Sequence, residues 1–574
     1  LFIFLALGIT ALIMLLFFRS FSAMFYSMLV VGIGVIWAVG TIALLGYKIT
    51  ILTALIPPLI IVIGIPNCIF LLNKYHIEFK LHGNKVKALS RVIQRVGNAT
   101  FMTNATTAAG FATFIITQTQ MLVEFGVVAS INILLVFFIS LIVIPSVCSF
   151  MPDPKERHLS HLERNWMNNL TLWMERVVLH HRSKVYASTL ILLIVAFFGL
   201  SKIQTTGNIV DDIPKDDPLI VDLLFFENNF SGVMPFEIVI DTQKKNGVTR
   251  SSTLKRIQKL EDLLAEYPEI SSTTSILDLS KFSKQAYYNG NPKYYSLPNS
   301  QEKNFIMKYA KNTLGNSDYL FSSFVDSTKS IARVSALMKD IGTKQMKALK
   351  DSIRPKIDAI FNPKKYNVSI TGTSVLFLEG TRYLVRNLFS SLLLAIALIA
   401  ILMAWMFSSS RMVVVSLLPN LIPLVLTGAL MGYFGIPIKP STILVFSIAF
   451  GISIDDTIHF LAKYRQELKA NHWNIRISVI KALKETGVSM FYTSIVLFFG
   501  FSIFIASEFG GTVALGLLVS VTLLFAMTAN LLLLPSLLLS LERMITTSSF
   551  KEPLLDILDE EDDIELDALI LPKK

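Results

Sequence analysis

Long apolar runs alternate with ordinary polar stretches along this 574-residue chain. A run of about 18 or more apolar residues can cross a bilayer as a helix. Eleven runs qualify, near 1–18, 23–46, 50–73, 100–118, 122–149, 185–203, 386–407, 412–434, 441–462, 490–507 and 511–540. Between the sixth and seventh lies a polar region, 204–385, with a different rhythm. FEIVID (236–241), ARVSALM (332–338) and YNVSITG (366–372) alternate apolar and polar positions, as half-buried strands do. Residues 251–267 and 343–361 carry helical periodicity, and Ser251 or Ser252 is expected to cap the first of these helices. The strand–helix–strand order suggests an α+β, ferredoxin-like unit built on a split βαβ. In 159–182, Leu162, Trp166, Leu170, Trp173 and Val177 recur at spacings of three and four. That stripe predicts an amphipathic helix lying on a membrane surface, its Trp rings at headgroup depth.

The apolar runs are organised by an internal repeat. With an offset of 389, Phe18 meets Phe407, Ser27 meets Ser416, Gly46 meets Gly435, Thr53 meets Thr442 and Lys74 meets Lys463. One residue is then gained, and Gly97 meets Gly487, FMTNATTAAGF (101–111) meets FYTSIVLFFGF (491–501), Gly126 meets Gly516 and Pro145 meets Pro535. A single indel across some 150 residues is not what shared membrane composition produces. The expected fold class is therefore a membrane all-α bundle of two pseudo-symmetric halves, with eleven transmembrane helices, plus one α+β domain. The expected divisions are a first repeat, 1–150; an amphipathic connector, 151–184; a span, 185–203; the polar domain, 204–385; a second repeat, 386–542; and an acidic tail, 543–574. By symmetry a further span and polar domain are expected before Leu1, so the sequence is expected to be N-terminally truncated.

Composition sharpens this picture. Charged residues make up 16% of the chain against 53% hydrophobic, where soluble domains carry about 25% charged. The net charge of +11 points to topology rather than nucleic acid, because the basic residues cluster between spans. Lys74, Lys80, Lys85, Lys87, Arg91 and Arg95 follow one span; Lys463, Arg465, Lys469, Arg476, Lys481 and Lys484 follow its repeat mate; and six more lie in 150–184. Threading eleven spans alternately puts all three clusters on one side, which the positive-inside rule makes cytoplasmic. Region 204–385 then faces outward and the acidic tail inward. Cys68 and Cys148 both fall in spans, so no disulfide framework is expected. The acidic run DDIPKDDP (211–218) does not fit an EF-hand loop and is expected to be a solvated turn. Region 204–385 has no Cys, no His and no phosphate-binding glycine loop, so no enzyme, metal or cofactor is expected there.

The sharpest local signal is GISIDDTIHF (451–460), inside an apolar span. On a helix His459 shares a face with Asp455 and Asp456. Each Asp at bilayer depth costs about 2.5–3.5 kcal/mol on insertion scales. Ionised neighbours repel, so at least one of the two is expected to be protonated much of the time. Two readings follow, a proton relay of Asp455, Asp456 and His459, or a structural hydrogen-bond cluster locking helices together. Ser447, Ser453, Thr493 and Ser494 are candidate supporting groups. In the first half the aligned residues are Pro66, Asn67 and Phe70, with no carboxylate. Pro66 is expected to free a carbonyl and kink its helix, while Thr103, Asn104, Thr106 and Thr107 are candidates to hydrogen-bond Asn67.

The five-span repeat, the GxxxDD pattern in its third span, and TGTSVLF (371–377) leading into a span resemble the RND (resistance–nodulation–division) superfamily, most nearly its MMPL-type predicted exporters. The first repeat also resembles a sterol-sensing-type five-helix domain. The resemblance implies an inner-membrane bacterial protein with periplasmic porter domains. It implies efflux of lipids or other hydrophobic molecules by proton antiport, with Asp455 and Asp456 as proton carriers and the proton gradient in place of a cofactor. Membrane lipids and a lipid or hydrophobic substrate are the partners implied; a homo-oligomer and a periplasmic adaptor are compatible with it, and nucleic acid is not. Two other functions fit the architecture: a sterol-sensing-like lipid receptor or scaffold that does not pump, and a protein-translocation aid resembling SecD/SecF.

Overall fold

The computed structural model of the protein describes residues 2–117, 119–154, 165–203, 212–214, 216–230, 232–299, 301–302, 305–306, 322–407 and 409–540. The expected acidic tail lies outside these residues, as do the first residues of the expected amphipathic helix. The chain divides into two compact units, Leu1–Gln204 with Leu384–Lys574, and Thr205–Tyr383.

The first unit opens with α1 (Phe2–Phe18), α2 (Phe21–Leu44), α3 (Ile56–His82), α4 (Lys85–Ala112) and α5 (Gln120–Phe150), followed by α6 (Asn165–His180) and α7 (Arg182–Leu200). In the second unit α8 (Pro218–Asn229), β1 (Met234–Asp241), α9 (Ser251–Leu264), α10 (Ile276–Tyr287), β2 (Ile331–Met338), α11 (Thr343–Ile360) and β3 (Asn367–Thr371) follow. The long α12 (Thr373–Phe407) leads into the second half of the first unit. That half continues with α13 (Ser410–Phe434), α14 (Pro440–Ala470), α15 (Ile475–Ser502), α16 (Gly510–Thr528), a π turn at Ala529–Leu533 and α17 (Leu534–Ser540).

Nine segments among the described residues are helical, long and apolar enough to cross a membrane. Two of the eleven expected spans are not among them. Helix α1 is apolar but, at 17 residues, at the short end of what crosses a bilayer. The run that begins near residue 100 is the last part of α4 and the short 3-10 turn after it, and the threonines, asparagine and basic first half of α4 dilute its apolarity. The basic stretches expected as loops are largely helix. Helices α3 and α4 are separated only by Gly83 and Asn84, Gly83 in the left-handed conformation that closes α3 and Asn84 capping α4. Asn474 caps α15 in the same way.

The repeat is matched bond for bond. Gly46 and Gly435 both end their helices with positive φ, +69° and +67°. Thr53 Oγ1 accepts from the Thr50 N–H (2.7 Å) and donates to Lys48 O (3.1 Å). Thr442 does the same with Lys439 N (2.9 Å) and Pro437 O (3.0 Å). Short 3-10 turns follow α4 and α15 at Thr113–Ile116 and Ile503–Ala506. A Cβ on Gly126 would strike the Phe111 carbonyl and Phe114, and one on Gly516 the Phe501 carbonyl and Phe504. Every one of these pairs keeps the repeat offset.

The halves pack through α4 against α14 and α3 against α15. Apolar side chains of lipid and protein are alike, so helices in a membrane associate through close packing and small residues. Gly110 faces Gly451 at that contact, and its mate Gly500 receives Val62. Ile60, Val62, Ala108 and Phe111 of the first half share one core with Leu444, Ile448, Ile452, Leu497 and Phe501 of the second. Helix α3 continues through Pro66 as far as His82. The connector α6 lays Met167, Thr171, Met174 and Val178 inward. Of the tryptophans in the expected stripe, Trp166 is 45% exposed and packs edge-on against Phe491 of α15, while Trp173 is 50% exposed.

In the second unit β1 is central, antiparallel to β2 on one side and β3 on the other. Isolated antiparallel bridges, Ile270 to Met338 and Thr274 to Ser335, lay 270–274 along the outer edge of β2. Helices α9 and α11 bury Ile257, Leu260, Ile353 and Ile357 with Phe236, Ile238, Ile240 and Val334 of the sheet. Neither expected serine caps α9: Ser251 is its first residue and Arg250 its cap, without a side-chain bond. Asp217 of the acidic run caps α8, accepting the Leu219 N–H at 2.8 Å. The TGTSVLF run makes a tight junction. Gly372, at φ +105°, packs on the Pro235–Glu237 backbone, and Ser374 Oγ donates to Pro235 O at 2.7 Å.

Candidate functional site

Helix α14 is almost wholly buried along its apolar length, because α15 and α16 of its own half and α4 of the other surround it. Asp455, Asp456 and His459 sit in its middle, at the meeting of the two halves. Asp456 Oδ2 accepts a hydrogen bond from Ser494 Oγ on α15 at 3.1 Å. Asp455 turns toward the first half, where Pro66, Asn67, Thr103, Asn104 and Thr107 border a small void of about 10 Å³ with it. His459 Nε2 stands 3.2 Å from Asp455 Oδ1. That is ion-pair distance, but outside hydrogen-bond angles, and Asp455 Oδ1 is sealed from solvent with no hydrogen bond. The His459 ring stacks on Phe70 of α3, centroids 3.8 Å apart.

The supporting residues divide. Ser494 holds Asp456. Thr493 borders the same small cavity as Asp455, Asp456 and His459; its hydroxyl lies within reach of the Asp456 carboxylate and of Ser489 O and Met490 O of its own helix. Ser453 returns to Phe450 O, so it does not hold the carboxylates. Ser447 Oγ is buried without a hydrogen bond.

In the first half Asn67 and Asn104 form a closed amide pair. Asn67 Nδ2 donates to Asn104 Oδ1 (2.9 Å) and Asn104 Nδ2 to Asn67 Oδ1 (3.0 Å). Of the four residues expected to hydrogen-bond Asn67, Asn104 does so. Thr103 and Thr106 bond carbonyls of their own helix, and Thr107 also crosses to Gly451 O at 3.0 Å. Where the second half carries titratable groups, the first carries a neutral, self-satisfied pair.

Two further clusters escaped the sequence reading. Fully buried Asn420, Thr457 and Asn530 bond one another behind the carboxylates. Asn420 Nδ2 donates to Thr457 Oγ1, Thr457 Oγ1 to Asn530 Oδ1, both at 2.7 Å, and Asn530 Nδ2 to Ser453 O at 3.2 Å. Their repeat mates are Val31, Cys68 and Ser140, so the trio belongs to one half. Asn530 stands in the π turn, a device frequent at functional sites. Toward the basic helix ends, Lys74 of α3 and Lys463 of α14, themselves repeat mates, both pair with Glu485 of α15 at 2.7 and 2.5 Å. The sequence signal for both was present: amides inside apolar spans, and two acids, Glu467 and Glu485, among the basic residues.

Comparison with known proteins agrees with this architecture. The family model described as MMPL family matches residues 1–183 and 226–552. A protein of Methanocaldococcus jannaschii named only as a membrane protein is 25% identical over 393 residues, covering 65% of this chain and 95% of that one. The matched residues take in both halves of the repeat and the carboxylate helix; the chain is a multi-pass membrane protein and belongs to the MMPL family, a transporter-like class within the RND superfamily.

Proposed function

We propose that this protein is a secondary transporter that exports lipids or other hydrophobic and amphipathic molecules from the bacterial inner membrane, driven by the proton gradient. One observation carries the reading. A carboxylate pair with a histidine one turn on is held where the two halves meet, at an energetic cost that packing alone does not require. The closed Asn67–Asn104 pair makes the coupling one-sided, with the second half as the titrating partner. Asp455 and Asp456 are the proton carriers in this reading, with His459 as their neighbour in the relay.

Adding α1 and the end of α4 to the nine apolar helices gives eleven crossings. Their repeat mates, α12 and α15, are both among the nine, which supports counting them. The basic ends of α3, α4, α14 and α15 then face the cytoplasm, and 204–385 faces the periplasm. Adding 270–274 as an irregular fourth strand gives the spatial order β3, β1, β2, 270–274, which supports a ferredoxin-like porter domain.

The test is lipid profiling of a deletion strain complemented with wild type, Asp455→Asn or Asp456→Asn, with membrane levels of each variant matched. Both variants are expected to leave the lipid distribution of the deletion strain uncorrected. Full correction by both would remove proton coupling at this pair and favour the non-pumping lipid receptor.

A further inference from the structure

Below the carboxylates, toward the basic helix ends, a cavity of about 60 Å³ is bordered by Asn73 and Lys74 of α3, His459, Lys463 and Gln466 of α14, and Glu485, Thr486 and Ser489 of α15. A water needs about 10–15 Å³ and two to four polar partners, so this space holds several. A smaller void of about 10 Å³ touches Asp455 and Asp456. Phe70, His459, Thr486 and Ser489 border both spaces and therefore form the partition between them.

The partition has one titratable member. Thr486 Oγ1 is committed to Ala482 O, and Ser489 Oγ accepts from Asn73 Nδ2. Phe70 is apolar. His459, 9% exposed, reaches from Phe70 on one side to Asp455 on the other. Along α14, Asp455, His459 and Lys463 stand at i, i+4 and i+8, one face, in steps of roughly 6 Å. In the first half the same positions read Pro66, Phe70, Lys74, so only the lysine of the stripe is kept there. The charged groups bordering the larger cavity are Lys74, Lys463 and Glu485, and those bordering the smaller void are Asp455 and Asp456; both lysines pair with Glu485, Lys74 also with Glu78 and Lys463 also with Glu467.

We propose that this cavity is a water-filled port linking the carboxylate pair to one face of the membrane, and that His459, stacked on Phe70, is the positioning residue that passes protons across the partition. The ring accepts a proton on one nitrogen from the port and releases the other nitrogen's proton toward Asp455, or the reverse, and then returns to its first tautomer. This rests on the proton-coupled reading, and the experiment separates the two.

Ser489→Cys and Asn73→Cys are placed in a Cys68→Ser/Cys148→Ser background, in vesicles of each orientation, and treated with a membrane-impermeant thiol reagent. A port labels from one side only; a dry packing gap labels from neither, and that result overturns the port whether or not the protein pumps. Proton flux is then followed with a pH-sensitive dye in proteoliposomes. His459→Ala is expected to slow flux at least tenfold, with free imidazole in the buffer restoring part of it. His459→Gln keeps the packing but not the relay and is expected to be as slow as His459→Ala. Normal flux in His459→Gln, or no rescue by imidazole, overturns the relay. Absence of flux in wild type removes the proton-coupled reading and the relay with it, while the labelling still decides the port.

Discussion

At the scale of single residues, the clearest contrast is between two solutions to one packing position. Asp455 and Asp456 keep an incompletely bonded carboxylate at the centre of the bundle. Asn67 and Asn104 spend their amides on each other. A buried polar group left without its partner costs about 1–3 kcal/mol, whereas removing both partners together is nearly neutral. Asn67→Leu and Asn104→Leu are each expected to lower thermal stability in detergent by about that amount. The double variant is expected to recover much of the loss; additive losses would show that the pair does not act as a unit. The same logic explains why the Asn420–Thr457–Asn530 trio is complete in the half that has it, and why its mates Val31 and Cys68 cannot form it.

Among elements, close approach between helices is set by residues without side chains. Helix α13 meets α7 where a Cβ on Gly432 would strike the Gly199 carbonyl, and Gly428 receives Leu200. Forcing extra atoms into packed cores costs about 1–3 kcal/mol. Gly432→Leu is expected to part these helices and lower the unfolding temperature, while Gly380→Leu, at an open position on α12, is expected to leave it unchanged. Equal effects of the two would mean that α7 is held elsewhere. The junction at Gly372 follows the same rule in the second unit: a side chain would meet both a positive φ and the β1 backbone. This gives the TGTSVLF run a structural reason, since Gly372 and Ser374 dock the start of α12 on β1.

On the scale of the whole molecule, duplication supplies the frame and its departures supply the chemistry. Lys74 and Lys463 are equivalent by the repeat, yet both converge on Glu485, whose own mate is Arg95. A single acid thus bridges lysines of the two halves through partly buried side chains, where an ion pair is worth more than the about 0–1 kcal/mol of a surface pair. The charge pattern makes a topological prediction. Cysteines introduced at Lys80 and Lys469 are expected to label only from the cytoplasmic side, and one at Lys245 only from outside. The reverse pattern would invert the port along with the bundle.

The repeat, the apolar runs, the strand positions and the Asp–Asp–His motif were all legible in the sequence, because each is a local pattern with a fixed period or spacing. What needed tertiary structure was every relation across the repeat. No spacing rule brings Lys74 to Glu485, sets Phe70 on His459 or joins Thr107 to Gly451. Those outcomes depend on which helices are neighbours and on how far each is rotated about its axis. In a membrane that rotation is decided by small residues and shape complementarity, because the hydrophobic pattern is apolar on every face and points nowhere.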